Sequence, residues 1–151
     1  MKKLRNLTSG ELFYAIYIDY NNRGQITNIS VSQRIVKCIE EMPHFNQFAV
    51  CLEMIKGDHY GAMVMFSKDE AEHDCVKSKN TSHYDFDFIY CFSKELFIKE
   101  LKNTLKGIKQ AMVNNDMFIN SNNYYNTFMP AFIKMVNSNK SGCVEIKLWK
   151  H

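Results

Sequence analysis

The sequence predicts an α+β domain: a mixed or mainly antiparallel sheet covered by two or three helices. Three stretches lead there. Across residues 84–92, Phe86, Phe88, Tyr90 and Phe92 fall on one side, while Asp85, Asp87, Ile89 and Cys91 fall on the other. That is the two-residue period of a strand, and it predicts a buried aromatic face and a second face wet at its Asp end. Across residues 93–114, Phe97, Leu101, Leu105, Ile108 and Met112 recur every three or four positions behind Ser93, an N-cap residue type. That is one face of a helix. Near the end of the chain, Val144, Ile146 and Leu148 alternate with Glu145, Lys147 and Trp149, which predicts a strand at residues 143–149 with one exposed face.

The other elements follow in chain order. Residues 11–20, "ELFYAIYIDY", are aromatic and β-branched and read as a buried strand. "NNRG" supplies turn residues before a second strand at 25–29. From Ser30 the spacing predicts a helix: Ser30 and Gln33 fit a capping box, Val31, Ile35, Cys38, Ile39 and Met42 share a helical face, and Pro43 ends it. Two strands at 47–56 and 60–66 flank "KGDHYG". Residues 72–83 read as an exposed interstrand loop. A last helical region covers 124–136, with Pro130 at a kink or in the first turn. The predicted order is β-β-α-β-β-β-α-α-β, in one domain spanning residues 1–151.

Composition narrows the function classes. Apolar residues make up 46% of the chain, which suits a folded core. The formal net charge of +3 is too small to mark a nucleic-acid-binding protein. Five cysteines without a CxxC pair argue against a disulfide scaffold or a zinc ribbon. No apolar run is long enough to span a bilayer and no secretory leader is evident, so a cytoplasmic protein without a membrane partner is expected. The phosphate-loop, H-E-x-x-H and G-x-S-x-G motifs are all missing, and no cofactor is expected.

Three clusters remain as candidate sites. Lys99, Lys102, Lys106 and Lys109 form a basic stripe; between Lys94 and Lys109 five lysines face two acids, Glu95 and Glu100. Such a stripe suits an acidic protein surface, with Tyr124 or Tyr125 as an aromatic anchor. Nucleic acid is a weaker fit, because lysine without arginine lacks bidentate recognition. Glu53, Asp85 and Asp87 could hold a divalent cation for phosphodiester cleavage, with Lys56 or Lys68 near the phosphate. His73, Cys75 and His83 supply residue types for zinc or a thiol nucleophile, but the loop reading is preferred. The expectation is therefore a small protein-binding module of the inhibitor or immunity type. A metal-dependent nuclease is the alternative, and a nucleic-acid-binding module the third reading.

Overall fold

The first strand, β1 (Leu12–Tyr20), is apolar on both faces, and both faces are covered. It pairs antiparallel with β2 (Ile26–Met42) across a turn containing Gly24, whose φ of 75° lies in the left-handed region that glycine enters freely. This computed structural model describes residues 2–22, 24, 26–58, 62–78, 86–113 and 124–148; side chains of 108–113, 124 and 125 are outside that description. The remaining strands are β3 (Gln47–Leu52), β4 (Met63–Ser67), β5 (Cys75–Lys77), β6 (Phe86–Cys91) and β7 (Gly142–Lys147). The two α-helices among the described residues are α1 (Lys94–Val113) and α2 (Met129–Ser138). Ser93 caps α1 through its Oγ, which accepts the Leu96 N–H at 3.4 Å. Pro130 sits in the first turn of α2, behind a π-helical turn at Tyr124–Phe128.

The strand order is β4-β3-β2-β1-β6-β5, with β7 also on β2, and every pair is antiparallel. Strands make up 44% of the chain, and the sheet curls into a half-barrel. This corrects the predicted fold class: the sheet dominates, and helices do not cover it as a layer. They lie on one face only, over β1, the first half of β2, β6 and β7. There Ile16, Ile18, Ile29, Val31 and Ile146 meet Phe97, Leu101, Leu105, Phe132 and Met135. The opposite face closes on itself. Phe13 and Ala15 of β1 share a second core with Val36, Phe48, Val50, Leu52, Phe66 and Phe92. Phe13, Phe66, Tyr90 and Phe92 form its aromatic centre, with ring centroids 5.3 to 6.0 Å apart.

The largest departure is at residues 30–42, predicted helical and in fact the body of a 17-residue strand. A β-bulge explains the misleading pattern. Val36 opposes Leu52 and Cys38 opposes Cys51, so β2 carries one residue more than β3 at that point. The extra residue reverses the alternation beyond it. Val36 and Ile39, three apart, therefore both enter the second core. A strand with a bulge thus reproduces helical spacing. The β-branched Ile29, Val31, Ile35, Val36 and Ile39 are at ease in extended backbone.

Gln33 has a different role from the predicted cap. It is fully buried, and its Nε2 donates to the carbonyls of Met135 and Lys140, both at 2.7 Å. Met135 lies in the last turn of α2, where its carbonyl also accepts the Ser138 hydroxyl at 2.7 Å, and Lys140 follows the helix. β2 therefore fixes where α2 stops. Replacing Gln33 with Leu keeps the volume but removes the Gln33 donor from Lys140, while Met135 keeps the Ser138 hydroxyl, and should cost about 1–3 kcal/mol in urea unfolding. An unchanged unfolding midpoint would show that water satisfies that helix end.

Candidate functional site

The phase of α1 is set by its core stripe. Phe97, Leu101 and Leu105 are 0%, 2% and 5% exposed, and Phe97 stacks on Tyr14 of β1 with centroids 4.7 Å apart. With that face down, Lys99, Lys102 and Lys106 are exposed along the solvent side, together with Glu95 and Asn103. Lys109 continues the spacing along the helix, but its side chain lies outside the described residues.

Glu100 decides the charge of this face. Its side chain is only 12% exposed and pairs with Lys77 of β5 at 3.0 Å. The pair holds the Lys77 ammonium above its ordinary pKa, chiefly through the Glu100 hydrogen bond. An acid that could offset the helix lysines is thus turned toward the sheet and spent on a different cation. Among the described residues, none of Lys99, Lys102 and Lys106 has an ion-pair partner. Glu95 is the acid left on their face. On α2, whose Phe132 packs 5.8 Å from Phe97, Ile133 is 53% exposed beside the exposed Lys134. Tyr124 and Tyr125 open the π-helical turn before α2; their side chains lie outside the described residues.

The predicted carboxylate site does not assemble. The Glu53 N–H donates to the Ile35 carbonyl at the bulged end of β2. Asp87 opposes Ile18, which in turn opposes Ile29. Six residues of extended strand separate those two levels, a distance of about 20 Å. Asp87 is also engaged already: it accepts the Tyr20 hydroxyl at 2.8 Å and the Ser78 hydroxyl at 3.1 Å. Asp85 lies outside the described residues. Lys56 is exposed on the turn after β3, and Lys68 pairs with Glu41 at 3.5 Å. Among the described residues, no group of three or more His, Cys, Asp or Glu is placed to hold a metal ion.

The stretch read as a loop, 72–83, is in part structured. A 3-10 turn at Glu70–Glu72 leads into the short edge strand β5. The His73 ring is exposed and 3.9 Å from Asp69, while Cys75 turns toward the sheet. His83 lies outside the described residues. The partner of Cys75 is Cys91, directly opposite in β6, with the two Sγ atoms 3.9 Å apart. Sequence reading missed this pair because it looked within the loop. The available signal was the alternation that puts Cys91 on the Ile89 face, if the preceding stretch pairs back on β6.

No protein-family model, curated protein or solved structure matches this chain. Its own surfaces are what point to a function.

The Asp87 contacts carry a pH consequence. Burial, then the hydrogen bond to Asp87 and its charge, push the Tyr20 phenol up to about 12. An unfolded Tyr ionises near its ordinary value of about 10. Below pH 10 both states keep the proton and the contribution is complete. As pH rises from about 10 to about 12 the unfolded state ionises first, and stability falls. Melting temperatures measured across that window should decline less steeply in Tyr20→Phe than in the unaltered protein. Parallel declines would place Tyr20 outside the Asp87 network.

Proposed function

We propose that this chain is a small protein-binding module of the inhibitor or immunity type, working in the cytoplasm by docking the solvent face of α1 against an acidic surface of its partner. The observation that carries the reading is the exposed row of Lys99, Lys102 and Lys106, left without acid partners because Glu100 is held by Lys77. Cations on a rigid helix, anchored by Phe97, Leu101 and Leu105, keep a fixed spacing and raise the rate of encounter with a complementary surface. Ile133 supplies an apolar contact in the same helical layer, the kind of group that slows dissociation once charge has steered the approach.

The nuclease reading has lost its main support, since Glu53 and Asp87 stand at different levels of the sheet. Nucleic acid is a poorer fit than protein for a row of lysines with Glu95 among them and no arginine. No helix among the described residues is long and apolar enough to cross a membrane.

The partner can be isolated from the native host on immobilised protein and its binding followed by stopped-flow at two salt concentrations. Lys102→Glu combined with Lys106→Glu should slow association about tenfold or more at low salt and flatten the salt dependence, with an unchanged circular-dichroism spectrum. An association rate and salt dependence equal to the unaltered protein would make this row a plain solvated face.

A further inference from the structure

Two of the cysteines, Cys75 and Cys91, face each other between an edge strand and its neighbour. They are directly opposed in the β5–β6 ladder, with Sγ atoms 3.9 Å apart. Opposed residues of antiparallel strands have Cα atoms about 4.5–5.5 Å apart, within the range of about 4.4–6.8 Å that a disulfide spans. A bond between them therefore needs side-chain rotation and no movement of either strand. The two thiols also sit in unlike surroundings. Cys75 is partly exposed on a three-residue edge strand, whereas Cys91 is fully buried beneath α1.

Electrostatics sharpens the contrast. The hydrogen bond from Cys91 holds the Cys75 thiol below its ordinary range, and the Lys77 ammonium helps; burial, Glu100 and Asp74 oppose. Cys91 is pushed far up by that same bond and by burial. Cys75 itself is partly exposed. A cleft of about 530 Å³, lined by Asp74, Ser93, Leu96 and Lys99 among others, adjoins the residue just before Cys75.

We propose that Cys75 and Cys91 form a redox-active dithiol that exchanges with low-molecular-weight disulfides, with Cys75 attacking and Cys91 resolving. In the first step the Cys75 thiolate attacks one sulfur of the small disulfide. A mixed disulfide forms at Cys75 and one small thiolate leaves, to be protonated by water. In the second step Cys91 loses its proton and attacks the Cys75 sulfur, expelling the second small thiol. The protein dithiol is oxidised by two electrons, and one small disulfide becomes two small thiols. The product staples edge strand β5 to β6 at the margin of the α1 lysine face. In the other opposed pair, Cys38 and Cys51, the Cys51 thiol is held above its ordinary range, chiefly by its hydrogen bond with Cys38.

The reduced full chain mixed with oxidised glutathione at neutral pH, then quenched by alkylation, tests this by mass spectrometry. The expected result is a fast phase releasing two glutathiones per chain, with a peptide map joining Cys75 to Cys91. Cys75 should react faster than the exposed Cys143 by about an order of magnitude. Cys75→Ser should remove the fast phase. Cys91→Ala should halt at one glutathione bound to Cys75. If Cys91→Ala does not fold, the fast phase and its loss in Cys75→Ser decide the matter alone. The proposal is overturned if Cys75 reacts no faster than Cys143, or if the fast phase survives Cys75→Ser. A map placing the bond at Cys38–Cys51 with Cys75 and Cys91 free also overturns it.

Discussion

The pairing of β2 along both edges is the constraint on which the other elements depend. One edge carries β1 along the first half of the strand. The other carries β7 over that half and β3 beyond the bulge. At the changeover, adjacent residues serve different segments. Val36 donates to Glu11 and accepts from Gly10, each at 2.8 Å, while Ile35 donates to the Ser141 hydroxyl and accepts from Glu53, also at 2.8 Å. Each buried backbone group left unpaired there would cost about 1–3 kcal/mol, so the four segments are held together at this one point.

From that point the surfaces follow. The bulge increases local twist, and the sheet beyond it curls so that Phe48, Val50 and Phe66 reach the core behind β1. The first half stays open to the helices. Gln33 stops α2, and Tyr14 beneath Phe97 sets the phase of α1. Lysines face water because of that phase. The Lys77–Glu100 pair then ties edge strand β5 to α1, which leaves the lysine row with little acid and brings Cys75 under the helix. Being short, charged and tied to a helix, β5 is also a poor template for aggregation at the sheet edge.

Much of this was legible in residue patterns. The strand expected at 143–149 is found at Gly142–Lys147, with Trp149 outside the described residues, and the helix after Ser93 is in place, since each has one wet and one dry face and so one clear period. The buried strand at 11–20 was read from its β-branched and aromatic content, although its period is hidden by burial on both faces. Residues 30–42 were misread because periodicity counts spacing, and a bulge changes spacing without changing extended backbone. The aromatic face of β6 departs from expectation at one end: Phe86 is 43% exposed, whereas Cys91 on the other face is dry because α1 covers it, a long-range fact no local window contains. For the candidate sites, the lysine spacing was readable from one helix alone. The Cys75–Cys91 pair and the removal of Glu100 were not, because each joins separate segments through strand register. Glu53 and Asp87 failed for the same reason: β2 and β1 stand between β3 and β6, and the registers put the two acids at different levels of the sheet.

The most direct test of this account is the backbone of β2 in solution by NMR. The account predicts extended-type carbon shifts through residues 28–42, interrupted at Lys37. It also predicts inter-strand contacts from Val31 to both Ile16 and Val144. Helical shifts with sequential amide–amide contacts over residues 30–42 would contradict it, as would a Val31 in contact with neither neighbour.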